Sequence, residues 1–556
     1  MNKKVFSHNS KINNLLDNIL NALAPFLEEQ DRNINELSAI GLALSAEQDI
    51  EAILEMILAQ ARRFTRADGG TIYLLNKPAT ELVFHVVESD SLQMKMGGRS
   101  GKPVSLPPVP LFTADNKKNL SNVSAYVANT GQTVNIPDVY QAKGFNFDGT
   151  KRFDASINYR SCSMLVMPMK DHEGDIIGVL QLINSLDNRT GKPVPFGEDI
   201  VQLASALASQ AAVALTQQFL INELKELFES FIHAIATAID KKSKYTGGHI
   251  QRVAELTMMI ADKINAATDG PFKDVQLSRD QLNELRIAAW LHDTGKITTP
   301  EYVVDKSNKL ETIFDRIELV KLRWELFRLK IKLDAEKEKN RILTTNGQQQ
   351  PNAVSEIDAR CEQALQTLDA DLDFITQTNK GGEFMSDAAL NRLQQLAQQT
   401  CLINGLPQIY LTEDELDNLS VRKGTLTDAE RETINSHALA TVEILSELPW
   451  PKKLANVPDI AGAHHEKLDG SGYPRGLKGD SINLQARIMA VADVFEALSA
   501  SDRPYKKSMT LAQVNKVLGF MVRDNHVDAD IVELLINSGI QKIYADRFLN
   551  PEQIQE

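Results

Sequence analysis

The chain has 556 residues, enough for roughly two to four domains with separate cores. Its 43% hydrophobic and 24% charged content is ordinary for globular protein, and its net charge of −14, from 60 basic and 74 acidic side chains, argues against bulk binding to a nucleic acid polymer or an anionic membrane. A small anionic substrate remains compatible, because it needs only a local set of cations or metals. No run of about eighteen apolar residues occurs, so no membrane span is expected. The N-terminus lacks the apolar stretch of a signal peptide. Cys162, Cys361 and Cys401 are widely spaced and form no CxxC pattern, which points to a reducing cytoplasm.

Residues 7–34 read as a helical leader with an apolar stripe of Ile12, Leu15, Leu16, Ile19, Leu20 and Leu23. A second helix is expected from Ser45, where Ser45 to Gln48 matches a capping box, to about Arg66. Strand-like runs follow at 71–75 and 82–87, then a helix at 121–129 that stops at Gly131. Residues 164–169 and 176–183 read as a hairpin closed across 171–175. This order predicts one α+β domain over 35–215. From Glu198 to Asp240 neither proline nor glycine interrupts a helical pattern, and Leu203, Leu207, Leu220, Leu224, Leu227 and Phe231 are among its apolar positions. Residues 216–240 are therefore expected to form a connecting helix whose seam pairs with a second copy in a homodimer.

Everything downstream reads as helix and loop, without a period-2 strand. Within 306–420, Ile313, Ile317, Val320, Trp324, Phe327 and Ile331 keep heptad spacing. After a polar loop at 341–355, Ile357, Cys361, Leu365, Leu368, Leu372 and Ile375 repeat it. Two such helices predict an antiparallel hairpin packed on its own seam, with a third helix starting at Ser386. The segment is expected to be an insertion that serves as a lid or as a docking arm for a protein partner.

Half of the ten histidines fall into one set: His249, His292, His437, His464 and His465. Asp293 follows His292 directly, and Asp493 lies in a later helical run. Imidazole nitrogen beside carboxylate oxygen suits manganese, iron or zinc. Two such ions about 3.5–4 Å apart can share a bridging ligand and polarise a phosphoryl group for in-line attack. A single histidine or a single His-Asp pair is weak evidence. Their order along the chain carries the weight.

The segment His464-His465-Glu466-Lys467-Leu468-Asp469-Gly470-Ser471-Gly472-Tyr473-Pro474 matches the HHExxDGxGYP signature of HD-GYP phosphodiesterases. Leu291-His292-Asp293-Thr294-Gly295-Lys296-Ile297 resembles that family's HDxGK motif, and His249-Ile250-Gln251-Arg252-Val253 its preceding HxxRV helix. Ala492 to Leu498 and Asp502 to Lys506 resemble its last ligand helix and the loop after it. The resemblance covers about 228–305 and 421–545. It implies that His249, His292, Asp293, His437, His464, His465 and Asp493 ligate two divalent metal ions, iron or manganese. Asp293 and Lys296 would be the catalytic residues. Lys296, Gly472, Tyr473, Arg475, Lys478, Arg503 and Lys506 would contact the cyclic-dinucleotide substrate. Family members with a third metal carry an acid one helical turn before the first histidine; here Tyr245 stands there, and the nearest upstream acid is Asp240. Two metals are expected. The chain departs from the family in the long insertion before Thr427-Asp428-Ala429-Glu430, which reads as a capping box placing His437 inside the helix it starts.

Residues 35–220 resemble a GAF domain through the hairpin at 164–184 and through Asn135-Ile136-Pro137-Asp138. Of the cyclic-nucleotide-binding GAF signature the chain keeps Asn184 and Phe196. Ser185 replaces the lysine, and Glu198-Asp199 reverses the acids, so the GAF ligand stays unassigned. The expected architecture is a leader (1–34), an α+β GAF-like sensor (35–215), a connecting helix (216–240) and an all-α HD-GYP domain (241–305 and 421–556) carrying the helical-hairpin insertion (306–420). The expected function is hydrolysis of cyclic di-GMP to pGpG and then GMP, under control of the sensor. The alternatives are a phosphodiesterase for cyclic GMP-AMP and a catalytically silent dinucleotide receptor or scaffold.

Overall fold

The computed structural model describes residues 10–242, 247–346, 351–382, 384–500 and 508–554. They form two compact units, one ending at Leu227 and one beginning at Phe228. In the first, helices α1 (Ser10–Ala46) and α2 (Ile50–Thr65) precede a mixed region of strands and helices. It comprises β1 (Ala67–Leu75), β2 (Glu81–Ser89), β3 (Met94–Gly97), β4 (Val109–Pro110), α3 (Val123–Thr130), β5 (Val134–Ile136), α4 (Asp148–Ile157), β6 (Met164–Lys170), β7 (Ile176–Leu186) and β8 (Pro193–Val194). Helix α5 (Glu198–Lys242) begins in this unit and ends in the next.

The sheet runs β3-β2-β1-β7-β6-β5 with every pairing antiparallel; β4 adds to β2 and β8 to β7. Strand β6 is apolar almost without a break because both of its faces are covered. Leu165, Met167 and Met169 pack with Ile53, Leu54, Ile57 and Leu58 of α2 and with Leu207, Ala208 and Ala211 of α5. Met164 and Val166 pack on the other face with Val123, Ala125 and Val127 of α3. The unit is thus an α+β fold with helices on both sides of one antiparallel sheet.

The expected helix start at Ser45 is corrected. α1 runs on to Ala46, and the Ser45 hydroxyl donates back to the Gly41 carbonyl at 2.9 Å within that helix. The next helix begins at Ile50, where Asp49 is extended and its carboxylate accepts from the Glu51 amide at 3.0 Å. Asp49 has the geometry of an N-cap, and Ser45 lacks it.

Among the described residues, α5 is the one helix long and apolar enough to cross a membrane by length and composition. Packing accounts for part of that composition. Ala204, Leu207, Ala208, Ala211, Ala212 and Leu215 are buried in the first unit, and Ile232, Ala236 and Ile239 in the second.

The second unit continues with α6 (His249–Asn265), α7 (Arg279–Leu291), α8 (Glu301–Val304), α9 (Ile317–Asn346), α10 (Pro351–Asn379) and α11 (Asp387–Ala397). A short ribbon follows, β9 (Thr400–Ile403) and β10 (Leu406–Ile409), then α12 (Glu413–Leu419), α13 (Asp428–Asn435), α14 (His437–Ser446) and α15 (Val457–Gly462). The unit closes with α16 (Leu484–Ser499), α17 (Leu511–Arg523), α18 (Ala529–Asn537), α19 (Ile540–Phe548) and α20 (Pro551–Ile554). Its main core joins Val253, Ile260, Leu285, Ala288, Val457, Met489, Phe495, Leu518, Ile531 and Tyr544 from seven of these helices.

The insertion builds a separate core around Val320, Trp324, Phe327, Leu368, Ile375, Leu393 and Leu411. Trp324 donates to the Leu368 carbonyl at 3.1 Å, while Glu338, further along α9, meets Arg360 at 2.8 Å. Partners recede along α10 as α9 advances, so the two helices are antiparallel. Ile313 is 95% exposed, because it precedes the helix whose seam it was assigned to. The ribbon is a second departure. Asn404 and Gly405 both take positive φ, 51° and 81°, and this Asn-Gly pair is the usual two-residue hairpin turn. Two buried lysines stitch the insertion's ends together. Lys306 reaches both oxygens of Glu430 and the Asn418 side chain at 2.8 Å, and Lys309 donates to the carbonyls of Leu419 and Val421.

Candidate metal centre

Five helices bring seven side chains to one buried place in the second unit. His249 opens α6, His292 and Asp293 close α7, and His437 opens α14. His464 and His465 follow α15, and Asp493 lies in α16. Local sequence sets each approach. Ser278 and Gln281 form a capping box that starts α7, as Thr427 and Glu430 do for α13, and such a cap is worth about 1 kcal/mol. Helix α13 stops at Asn435, however, so His437 is the first residue of the next helix and lies outside the capped one, contrary to the expected placement.

Close backbone packing sets the registry. A Cβ on Gly295 would sit 1.9 Å from the His437 carbonyl oxygen, so only glycine lets the turn after Asp293 lie against α14. Thr441 fastens the same contact, donating to the His292 carbonyl at 3.0 Å and accepting from the Gly295 amide at 2.9 Å.

Three histidines repeat one device. His292, His437 and His464 each place Nδ1 against the carbonyl three residues back, on Ala289, Ile434 and Ala461, at 2.8, 2.5 and 2.6 Å. A carbonyl only accepts, so Nδ1 carries the proton and Nε2 of the neutral ring keeps a lone pair. All three Nε2 atoms are buried without a hydrogen-bond partner. Burial holds His437 and His464 below the ordinary imidazole range and pushes His465 down to about 4, which keeps these rings neutral.

Asp293 lies between two donor sets. Its Oδ2 is 3.5 Å from His249 Nε2 and 3.4 Å from His292 Nε2, while its Oδ1 is 3.4 Å from His437 Nε2 and 4.0 Å from His464 Nε2. Asp493 Oδ1 is 3.4 Å from His249 Nε2, on the first side. The donor atoms of His249, His292 and Asp493 lie within 4.8 Å of one another, and so do those of His437, His464 and His465. Buried lone pairs without protein partners, converging beside carboxylates, fit divalent cations. These buried His/Asp clusters are consistent with an HD-domain metal site.

Burial would raise the Asp293 carboxyl, but Lys296 and the neighbouring histidines outweigh it and hold it well below the usual range. The Lys296 ammonium is 2.5 Å from Asp293 Oδ2 and is partly exposed. His249 differs from the other rings. Burial disfavours its charge, yet Asp293, Asp493 and Glu496 together raise it well above the ordinary value. Glu496 was not singled out from sequence as a site residue. It accepts from His249 Nδ1 at 2.5 Å and from Arg252 Nε at 2.7 Å, and so sets the orientation of the His249 ring. The available signal was its place three residues after Asp493, on the same helix face.

The glycine loop folds back over the histidines. Glu466 is buried and accepts from the amides of Arg475 and Leu477, and the Tyr473 ring lies 4.9 Å from that of His465. A Cβ on Gly472 would come 2.3 Å from the Lys467 nitrogen, so glycine permits the loop's return. The Arg475 guanidinium is engaged by Asp459 at 2.6 Å, and Lys478 packs its stem beside Gly470. Arg503, Lys506 and Tyr245 lie outside the described residues. Asp240 accepts from the Gly248 amide at 3.0 Å, just ahead of His249.

Comparison with known proteins agrees with this geometry. A family model described as GAF domain matches residues 49–215, and two described as HD domain match 246–341 and 412–531. The chain is similar to the 3'3'-cGAMP-specific phosphodiesterase 3 of Vibrio cholerae, 46% identical over 133 residues, which is 24% of this chain and 26% of that protein. It is similar to a probable cyclic di-GMP phosphodiesterase of the same organism, 40% identical over 125 residues (22% and 28%). A cyclic di-GMP phosphodiesterase of Thermotoga maritima is 36% identical over 122 residues (20% and 33%). The chain thus spans about a quarter to a third of the length of these relatives. With the sheet of the first unit and the buried histidine clusters of the second, the chain carries an N-terminal GAF domain followed by an HD domain.

Proposed function

We propose that the chain is a metal-dependent cyclic-dinucleotide phosphodiesterase that opens cyclic di-GMP to pGpG, and pGpG in turn to GMP. One observation carries the reading: three buried histidine Nε2 atoms without partners converge on Asp293, which has one oxygen toward each donor set. His249, His292, Asp293 and Asp493 would hold one ion and Asp293, His437, His464 and His465 another, iron or manganese by their donors. When bound, such ions supply Lewis-acid charge at the phosphoryl oxygens. Lys296 adds a cation on the accessible side of Asp293 and offsets negative charge that develops at phosphorus. Glu496 keeps the His249 ring turned toward the centre, and the Glu466-braced loop sets Tyr473 beside His465.

A second reading, cyclic GMP-AMP as substrate, is favoured by the name of the 46% identical relative. In this proposal the GAF domain biases turnover in response to its own ligand, and two copies associate through α5, where Leu220, Leu224, Leu227 and Phe231 form an exposed stripe. The enzyme acts in the reducing cytoplasm, where its three free cysteines stay thiols.

The test is turnover of both dinucleotides by manganese- or iron-loaded protein beside Asp293→Ala. Metal-dependent cleavage that the variant reduces to background supports the enzyme and ranks its substrates. Failure to cleave either dinucleotide with metal verified as bound would remove the phosphodiesterase reading and favour a silent receptor.

A further inference from the structure

Helix α9 has two apolar faces, and its own hairpin uses only one. Val320, Trp324 and Phe327 point into the insertion's core. Leu319, Leu322, Leu326, Leu329 and Leu333 are 44–64% exposed. Their spacing of three, four, three and four residues puts them on one line about 180° around the helix from Trp324. Leucine at five successive seam positions on a solvent face is the pattern of a coiled-coil strand that lacks its second strand. Asp315 and Glu336 stand at the next seam position on either side and limit the stripe to about two heptads.

We infer that this stripe is an interface between two copies of the chain, paired in parallel and in register. Flanking charge decides both the partner and its direction. One flank of the stripe carries Glu318, Glu325 and Lys332, and the other carries Arg323, Lys330 and, past the stripe's end, Lys337. In a parallel pair, each flanking residue meets the one five positions on in the other strand. Glu318 then faces Arg323 of the second copy and Glu325 faces Lys330, attractive pairs that occur twice by symmetry and outnumber the Lys332–Lys337 repulsion at the stripe's end. An antiparallel pair centred on Leu326 would set Glu325 against its own copy and Arg323 against Lys330, both repulsive, with Glu318 against Lys332 as its attractive pair. In the single chain these side chains make other contacts: Arg323 reaches Glu415 at 2.8 Å, Glu318 reaches Lys321 at 2.7 Å, Glu325 reaches Arg328 at 3.3 Å, and Lys330 pairs with Asp334. Their charges still border the leucines and select the direction by sign. A seam this short associates weakly alone, so it acts as an added contact in a chain present at micromolar concentration or already paired elsewhere.

Cysteine crosslinking in the full chain tests this without relying on its overall oligomeric state. Leu319→Cys is oxidised mildly at micromolar concentration, and peptide mapping identifies the joined positions. The expected result is a 319–319 disulfide between two copies, since equivalent seam positions come within disulfide reach only in a parallel, in-register pair. Adding Leu326→Glu, with an unchanged circular dichroism spectrum and thermal midpoint, is expected to lower the crosslinked fraction at least tenfold. Gln366→Cys, at an exposed position of α10, reports random collision. A 319 yield no greater than the 366 yield overturns the inference, whether the chain is a monomer or a dimer through another surface. When Leu319→Cys is mixed with Leu333→Cys, a 319–333 link would overturn the parallel direction.

Discussion

The GAF domain and the HD domain both bury polar side chains, and they treat them in opposite ways. In the GAF domain Asp154 is 1% exposed and accepts from the Tyr140 hydroxyl and from the amide and hydroxyl of Ser161 at 2.8–2.9 Å. Asp68 accepts from Ser89, Ser91 and Tyr159, and Asn184 bonds Cys162, Tyr159 and the Arg160 carbonyl. These networks are complete within the protein. In the HD domain the partners stop one atom short, because each of three histidines is anchored at Nδ1 and left open at Nε2. A buried polar group with all its partners contributes to stability. One that lacks a partner costs about 1–3 kcal/mol unless something else occupies the position. The contrast separates structural polarity from polarity held ready for a ligand.

Four experiments act on that contrast, taken from the largest expected effect to the smallest. Lys296→Met is expected to lower turnover by roughly a hundred- to a thousandfold with bound metal unchanged, since it removes a cation near the reacting phosphate and leaves every proposed ligand. Metal content and single-turnover rates, measured together, separate that outcome from loss of metal. Glu496→Gln is expected to weaken metal binding by about 10–100-fold, because the negative charge is lost and one acceptor oxygen is left where His249 and Arg252 use two. A competition titration against a chelator reads this directly, and unchanged affinity would place Glu496 among purely structural groups.

Asp154→Ala is the converse. It orphans three donors and is expected to cost about 3 kcal/mol in thermal or urea unfolding of the GAF domain, with metal content and affinity unchanged. Acid should divide the two domains by a smaller margin. His465, pushed by burial to about 4 from an ordinary 6.5, takes up a proton on unfolding, so its effect on stability is full above 6.5 and is lost as pH falls toward 4. His437 and His464 act in the same direction, and His249, held charged by its carboxylates, acts against them. Burial raises the Asp68 carboxyl, but Tyr159, Ser91 and Ser89 outweigh it and leave it below 3.8, so that contribution persists until pH falls through the lowered value. The metal-free HD domain is therefore expected to lose a few degrees of melting temperature, roughly, between pH 6.5 and 4, before the GAF domain responds. Manganese, by holding the rings neutral, should move that loss to lower pH.

Much of this organisation was legible in the chain. The hairpin at 164–186, the uninterrupted helix after Glu198, the caps at Ser386 and Thr427 and the heptad spacing around Trp324 all follow from local patterns that neighbouring residues specify. The order of the histidine and aspartate motifs singled out seven residues that the fold gathers in one place. Where the reading failed, a competing local option had to be weighed in three dimensions. Ser45 and Asp49 are both capping residues by type, and only the backbone conformation chooses Asp49. Asn404-Gly405 is a turn signal by type, but the strands it joins are only four residues each, too short for a period-2 pattern to stand out among helices.

The sequence by itself determined which residue types stand at the centre and their order along the chain, because motif spacing and the demands of caps and turns are local. Only the tertiary structure decided that Asp293 has one oxygen toward each histidine group, that Glu496 takes hold of His249 from 247 residues away, and that Gly295 must lie against the His437 carbonyl. Those choices depend on distances between segments far apart in the chain, and no local spacing encodes them.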